Sequence, residues 1–265
     1  KRNLLQFKCK RFLKLMTLGK HMDFVSEYAA AVTGILDTIW SKERPGIERA
    51  GKMLADTLAA GGLLYVFGCG HSHMVEEELF YRAGGLGAVC PIFETSTMLH
   101  EGAAKSSRIE RMSGYAKLVA ERFDVGSGDC FLAVSTSGIN PFAIEMAQIA
   151  GARGAGVIGI TSLCYRKKPS RHRDGLHLPD VCDVCIDSHV PAGDACVTVC
   201  TDGTKAGPVS SVASLAIADA VMLSACQKLR EQGMEPEIFR SGNCAGGDEY
   251  NRRLIERFRT RVRSL

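Results

Sequence analysis

The stretch FLAVSTSGINPFAIEMA, residues 131–147, predicts a buried strand that turns directly into a helix. Four apolar residues precede the segment S-T-S-G (135–138), and Pro141 then begins a new apolar pattern. Proline is preferred in the first turn of a helix, where its missing N–H costs no hydrogen bond. Three hydroxyls, a glycine and the positive end of a helix dipole suit a bound phosphate without any lysine. A well-capped helix is the alternative, although a cap would use only one hydroxyl.

Short apolar strands alternate with helices on both sides of this stretch. We predict strands at 63–67, 87–93, 129–134, 156–161 and 184–188. We predict helices at 23–43, 45–60, 73–83, 113–124, 141–153, 208–232 and 248–263, and a polar stretch after the second strand that ends near Arg111. Strands with no polar face indicate a parallel sheet covered on both sides. The predicted fold is therefore α/β: a doubly wound, flavodoxin-like five-stranded parallel sheet of order 2-1-3-4-5, with N-terminal and C-terminal helical additions.

In this strand order a crevice opens between two polar loops, at 68–73 and 135–140, because strands 1 and 3 are neighbours. The first loop has the sequence GCGHSH and ends the first strand. It lacks the third glycine of a dinucleotide-binding fingerprint, and no acidic residue closes the second strand near position 88. The crevice is therefore predicted to bind a ligand that is not a dinucleotide.

The charge distribution argues against nucleic acid as the main partner. The formal net charge is +4, but residues 1–20 carry seven basic groups and no acid, which leaves 26 basic and 29 acidic residues elsewhere. The rest of the chain is thus mildly acidic. We expect residues 1–21 to be a leader or a cloning-derived segment, with Met22 as the natural start, and 22–265 to form one domain. Apolar runs fall short of the ~20 residues that a membrane span needs.

Eleven cysteines are scattered along the chain, and many of them lie in apolar segments. Buried free cysteines behave as small hydrophobic residues. An odd number without a recognisable framework favours a reducing compartment over disulfide bonding. The expected location is the cytoplasm.

The paired motifs G-x-G-x-S (68–72) and S-x-S-G (135–138), the segment GARGAGVIGIT (151–161) and a long C-terminal helix resemble the sugar isomerase (SIS) domain. The likeness covers roughly residues 45–235. The S-T-S-G loop looks most like phosphoheptose isomerases. The segments DGTKAG (202–207) and NCAGGDEYNRRL (243–254) look more like N-acetylmuramic acid 6-phosphate etherases. Asn243 and Glu249 lie in a turn of unusual composition and are further candidates, as site residues contributed by a neighbouring subunit.

This resemblance implies that the hydroxyl-rich loop holds the phosphate of a phosphorylated sugar. Asn140 stands where the family loop usually ends in serine or threonine, and Ser72 matches the family serine of the first loop. Lys205 precedes the long helix and is a candidate for a sugar or phosphate oxygen. The predicted phosphosugar-binding residues are Gly70, His71, Ser72, Ser135, Thr136, Ser137, Asn140 and Lys205.

Aldose–ketose isomerisation needs a base that removes a proton next to a carbonyl and an acid for the neighbouring oxygen. A partly desolvated carboxylate with a raised pKa suits the first task. Glu76, Glu77 and Glu78 follow the first loop, but consecutive helical residues point about 100° apart, so at most two face a substrate. The candidates are Glu77 and Glu78 on this helix, Glu94 at the end of the second strand, and His100 as the acid. A solvated or structural role is the alternative for each.

The long C-terminal helix lacks the histidine that phosphoheptose isomerases carry there. The predicted function is therefore a phosphosugar-binding enzyme, an aldose–ketose isomerase, with two alternatives: an etherase-like lyase and a non-catalytic sugar-phosphate sensor. SIS domains commonly pair, so we expect a homodimer.

No cofactor and no metal are expected. His71 and His73 form a pair in the first loop, which is more typical of hydrogen bonding than of metal binding. A second group of histidines and cysteines has a spacing only loosely similar to that of a zinc knuckle, because one of its cysteines falls inside the predicted fifth strand. It consists of His177, Cys182, Cys185 and His189.

Overall fold

The fold is built on five parallel strands hydrogen-bonded in the order β2-β1-β3-β4-β5, and a computed structural model describes it over residues 23–265. The strands are β1 Leu64–Gly68, β2 Val89–Pro91, β3 Cys130–Val134, β4 Gly156–Thr161 and β5 Val184–Asp187. The predicted class and strand order are confirmed. The predicted leader, residues 1–21, lies outside the described residues.

Eight α-helices are described within 23–265. They are α1 Phe24–Lys42, α2 Arg44–Ala59, α3 Met74–Leu79, α4 Ala103–Ile109, α5 Tyr115–Ala120, α6 Pro141–Ala152, α7 Ser210–Glu231 and α8 Gly247–Phe258. Side chains of a strand alternate between the two faces of a sheet. Leu64 and Val66 of β1 therefore join the core formed with α2 and α7, whereas Tyr65 and Phe67 join the core formed with α5, α6 and α8.

Several predicted elements are shorter in the structure. The helix predicted at 73–83 ends at Leu79, because Phe80 is extended and Tyr81 has a φ of +43°. The second strand covers only Val89–Pro91, and α5 and α8 stop at Ala120 and Phe258. Apolar or aromatic residues continue beyond Leu79 and Pro91, so hydrophobicity alone overestimates the length of α3 and β2.

One helix and one two-stranded hairpin have no sequence prediction. Helix α4 lies in the polar stretch before Arg111 and buries only Ser106, so it has no apolar stripe for a periodicity argument. Strands β6 Ala195–Thr198 and β7 Lys205–Pro208 form an antiparallel hairpin, and β7 buries none of its residues.

Among the described helices, α7 alone is long and apolar enough to cross a membrane by length and composition. Mean hydropathy reaches 1.4 in its most apolar window. Its buried residues, Ala213, Ile217 and Val221 among them, belong to the core shared with α2 and the sheet. The burial pattern is that of a core helix.

Candidate functional site

A cavity of about 360 Å³ opens where β1 and β3 end, between the two polar loops. This volume lies in the range of ordinary small-molecule sites. The carboxyl edge of the sheet at the strand-order reversal is where doubly wound folds bind ligands. Seven predicted residues line the cavity: Gly70, His71, Ser72, Ser135, Thr136, Ser137 and Asn140.

The hydroxyl loop, residues 135–140, is held by hydrogen bonds within the loop and to the residue that follows β4. Ser135 Oγ accepts the N–H of Gly138 over 3.2 Å, and the Thr136 carbonyl accepts the N–H of Ser162 over 2.9 Å. Gly138 has a φ of +60°, and a Cβ there would lie 2.6 Å from Thr161 Oγ1. Within residues 23–265 the hydroxyls of Thr136 and Ser137 bond to no protein group, so both are available to a ligand.

Two helices begin at this cavity. Asn140 is the N-cap of α6, its side chain makes no capping bond, and its Oδ1 accepts a hydrogen bond from Arg171 over 2.9 Å. Ser210, the first residue of α7, also lines the cavity. Helix N-termini carry partial positive charge, and none of the lining residues is lysine or arginine. An anion in this cavity would therefore be held by hydroxyls and backbone N–H groups.

Asp194 restrains the start of α7. Its Oδ1 accepts the N–H groups of Val209 and Ser210, and its Oδ2 accepts the hydroxyl of Ser210 over 2.7 Å. Asp194 has a φ of +66° and lines the cavity itself. Beside it, Tyr165 Oη accepts the N–H of Gly193 over 2.8 Å, which leaves the phenolic O–H free to donate.

Glu110 is the acidic side chain on the α4 wall of the cavity. Burial raises its pKa above the ordinary value, although Arg111 and Arg171 oppose this effect. A carboxyl group with such a pKa can both accept and return a proton. Sequence reasoning missed Glu110, because it follows a helix without apolar periodicity and no motif marks it.

The three glutamates after the first loop have different environments, and none of them lines the cavity. Glu76 is buried and its Oε1 accepts the N–H of Gly68 over 2.6 Å. Its Oε2 has no partner within residues 23–265, and burial raises its pKa well above the ordinary value. Glu77 is exposed, 3.4 Å from the ring of His73, and Glu78 pairs with Arg82.

Glu94 forms a structural cluster away from the cavity lining. Its Oε2 lies 2.8 Å from Arg122 Nη1, and its Oε1 accepts the hydroxyl of Tyr115 over 3.0 Å. Burial by itself raises its pKa, but hydrogen bonds from Ser96 and Tyr115, with the charge of Arg122, hold the pKa below its ordinary value.

The remaining candidates also lie off the cavity lining. The ring of His100 is exposed and its centre lies 6.5 Å from that of His73. Lys205 is exposed at the start of β7, and Asn243 and Glu249 are exposed near the C-terminus.

The residues of the zinc-knuckle-like set make separate contacts. His177 Nε2 lies 2.9 Å from the Lys168 carbonyl, Cys182 donates to the Leu178 carbonyl, and His189 Nε2 lies 2.9 Å from Glu43 Oε1. In the described part of the chain, no three His, Cys, Asp or Glu side chains form a potential metal site.

Comparison with known proteins identifies the family. The family described as the SIS domain matches residues 27–162, which include both loops. A UPF0309 protein from Geobacillus thermodenitrificans is 43% identical over 239 residues, covering 90% of this chain and 96% of the relative. One from Caldanaerobacter subterraneus subsp. tengcongensis is 40% identical over 234 residues, covering 87% and 95%. The chain belongs to the SIS-domain family and, within it, to the UPF0309 proteins.

Solved structures share the fold at low sequence identity. Phosphoheptose isomerase GmhA from Neisseria gonorrhoeae superposes with a TM-score of 0.51 at 17% identity, over 76% of this chain and 96% of that chain. The Vibrio vulnificus NanR protein complexed with ManNAc-6P gives 0.53 at 18% identity, over 94% and 74%. Both likenesses agree with the fold predicted from the alternation of apolar strands and helices.

Proposed function

We propose that this SIS-domain protein binds a phosphorylated sugar between its two loops and interconverts the aldose and ketose forms. One observation carries the proposal. The cavity holds the free hydroxyls of Thr136 and Ser137 beside two helix N-termini, and its α4 wall presents Glu110, a carboxyl group with a raised pKa. The hydroxyls and helix N-termini suit the binding of an anion, and the carboxyl group of Glu110 suits proton transfer.

The phosphate is proposed to sit against the hydroxyl loop. Ser137 and Thr136 donate their O–H groups to its oxygens, and the backbone N–H groups at the start of α6 add to them. Asn140 and Ser72 complete the polar boundary of the cavity. Charge-assisted hydrogen bonds of this kind are about twice as strong as neutral ones, so they offset the missing lysine.

Glu110 is the proposed catalytic base. Its carboxylate removes the proton from the hydroxyl-bearing carbon next to the sugar carbonyl, while the Tyr165 O–H donates its proton to the carbonyl oxygen, which gives an enediol. The resulting carboxylic acid returns a proton to the former carbonyl carbon, and His71 accepts the proton from the other oxygen, which becomes the new carbonyl; water then restores the protonation of Tyr165 and His71. We prefer Glu110 to Glu77, Glu78 and Glu94, because only Glu110 lines the cavity.

Proton exchange in deuterated water tests this proposal. A panel of sugar phosphates is incubated with the protein, and NMR follows both deuterium uptake at the carbon next to the carbonyl and interconversion of the two sugars. We expect exchange with at least one sugar phosphate, and its loss in Glu110→Gln but not in Glu48→Gln, an exposed glutamate of α2 that serves as control. Tight binding of a sugar phosphate without exchange would contradict isomerase activity, and full exchange by Glu110→Gln would exclude Glu110 as the base.

A sugar-phosphate sensor is the second candidate. The NanR structure, which overlaps 94% of this chain, contains ManNAc-6P, so this fold supports binding of that ligand in another protein. If the protein is a sensor, we expect saturable binding of a sugar phosphate that Glu110→Gln leaves intact. We then expect no deuterium exchange in the wild-type protein. The etherase-like lyase is tested in the same panel by release of lactate from the muramic substrate. Residues 243–254, which look like the etherases in sequence, contribute no residue to the cavity lining.

We also propose that the protein acts as a homodimer in the cytoplasm. Large apolar side chains are exposed on α1 and α7, with Val25 78% and Leu223 63% exposed, and a second copy would cover them. All ten described cysteines are free, as a reducing compartment requires. Light scattering that gives a monomer mass at micromolar concentration would contradict the dimer.

A further inference from the structure

A second cavity, of about 500 Å³, lies between α5 and α6 and shares no lining residue with the candidate site. We call it the α5–α6 groove. Lys117 and Ala120 of α5 form one side, and Gln148 and Ile149 of α6 form the other. His172, in the loop between β4 and β5, closes one part of it.

His172 presents an unused hydrogen-bond donor to this groove. Its side chain is only 2% exposed, and its Nδ1 accepts the N–H of Asp174 over 3.3 Å. With Nδ1 as the acceptor, the ring proton is on Nε2. Within residues 23–265 no acceptor pairs with Nε2. Nε2 is not among the fully buried atoms that lack a partner in this part of the chain, so it can be reached from the groove and can donate to an acceptor on a ligand.

The charged side chains around the groove favour a ligand with a negative charge. The guanidinium of Arg153 is fixed by the carbonyls of Ala120 and Phe123, at 3.0 and 2.9 Å. Lys117 makes no ion pair with another described residue, and Arg173 lies at the rim beside His172. Glu145, one of the two acids of the lining, already accepts the N–H of Gly114.

We propose that the α5–α6 groove binds a small organic acid. The carboxylate of this ligand accepts the N–H of His172 Nε2, and the cations of Lys117 and Arg153 favour its charge. Its apolar body packs on Ala120 and Ile149. This proposal does not depend on the activity of the candidate site.

The same loop connects the groove to the candidate site. Arg171, next to His172, donates its backbone N–H to the Ile139 carbonyl over 2.8 Å and its guanidinium to Asn140 Oδ1 over 2.9 Å. A ligand that orders His172 therefore also favours both contacts with the hydroxyl loop. We expect positive coupling between the two ligands, of about 5-fold or more in affinity, and the coupling must be reciprocal. This part rests on the proposed function.

Binding of 2-naphthoate to the full chain tests the groove. Calorimetry should show saturable binding that is about tenfold or more weaker in His172→Phe, which keeps a ring of similar size but removes the N–H donor. Lys117→Gln should weaken binding as well, whereas Lys52→Gln, an exposed lysine of α2, should not. Thermal unfolding verifies that each variant is folded. Gln148→Trp, which fills the groove without replacing His172, should abolish binding even if His172→Phe does not fold.

Two results would overturn the groove proposal: no saturable binding of 2-naphthoate, or equal affinity in the wild type and in Gln148→Trp. Repeating the titration with a sugar phosphate present tests the coupling. Unchanged sugar-phosphate affinity with the groove occupied would overturn the coupling alone. Binding of 2-naphthoate with no sugar phosphate bound under any condition would contradict the proposed function and leave the groove in place.

Discussion

The carboxyl group of Glu76 accepts the backbone N–H of Gly68 over 2.6 Å at the end of β1, inside the protein. Burial raises its pKa well above the ordinary 4.5, and its Oε2 has no partner among the described residues. The group is therefore stable in its neutral form. Glu76 positions the start of the first loop, whereas Glu77 and Glu78 face outward.

This environment predicts how stability depends on pH. A carboxyl group with a raised pKa in the folded state contributes stability that is fully present below the unfolded pKa, near 4.5 here, and is lost as the pH rises through the folded pKa. Glu76→Gln removes this dependence, because glutamine stays neutral. In urea unfolding, the stability of wild type relative to Glu76→Gln should fall by about 1.4 kcal/mol for each pH unit between the two pKa values. Glu249→Gln is the exposed control, and a parallel curve for Glu76→Gln would contradict this prediction.

Gly138→Ala should destabilise the protein and weaken ligand binding. The φ of +60° is costly for alanine, and its Cβ would lie 2.6 Å from Thr161 Oγ1, whose side chain cannot move freely in the interior. Gly128→Ala is a matched control, because its φ is +89° but no atom lies within 4 Å of the added Cβ. Both variants lose about 1 kcal/mol to the backbone conformation, and Gly138→Ala should lose about 1–3 kcal/mol more in urea unfolding. Equal losses would mean that the contact with Thr161 is unimportant.

Removing the free hydroxyls should weaken binding of sugar phosphates. Ser137→Ala and Thr136→Val each delete one donor to the phosphate, and hydrogen bonds to a charged group contribute about 1.5–3 kcal/mol. Calorimetry should therefore give an affinity about 10- to 150-fold lower for each variant. The exposed Ser127→Ala serves as control. Retained affinity in the double variant would exclude the hydroxyl loop as the phosphate site.

Glu94 should matter for stability and not for binding. Its lowered pKa means that the ionised form contributes stability that is present above 4.5 and lost as the pH falls through the folded pKa. Glu94→Gln should therefore unfold at lower urea concentration than wild type at neutral pH, and the difference should shrink in acid. Sugar-phosphate affinity should stay unchanged. A large loss of affinity at unchanged stability would instead place Glu94 in the binding site.

The activity should depend on the ionisation of Glu110. Because burial raises its pKa above 4.5, kcat/KM should decline on the acidic side at a pH above that value, as the base becomes protonated. Arg171→Gln removes a cation that opposes the shift, so the acidic limb should move to still higher pH. A pH–rate profile measured for both proteins checks this. An identical acidic limb in the two proteins would contradict the assignment.

Sequence patterns were sufficient for the fold class and for the strand order of the main sheet. The apolar strands and the position of Pro141 predicted the order β2-β1-β3-β4-β5 and the crevice, because buried strands and first-turn prolines leave local signals. The same reasoning failed for α4, which buries only Ser106 and has no apolar stripe. Glu110 was missed for this reason.

The sequence by itself determined the two loops, their place at the sheet edge and the hydroxyls that line the cavity. Only the tertiary structure decided which glutamate carboxyl groups are buried, which are exposed to solvent and which one lines the cavity. Glu76, Glu77 and Glu78 are equivalent in a sequence, yet packing against β1 and α7 buries the first and leaves the second in solvent. Burial raises the pKa of both Glu94 and Glu110, but only that of Glu94 is brought below its ordinary value, because hydrogen bonds from Ser96 and from Tyr115, and the charge of Arg122, favour its ionised form. Tyr115 and Arg122 are more than twenty residues away in the chain, so folding alone brings them to Glu94.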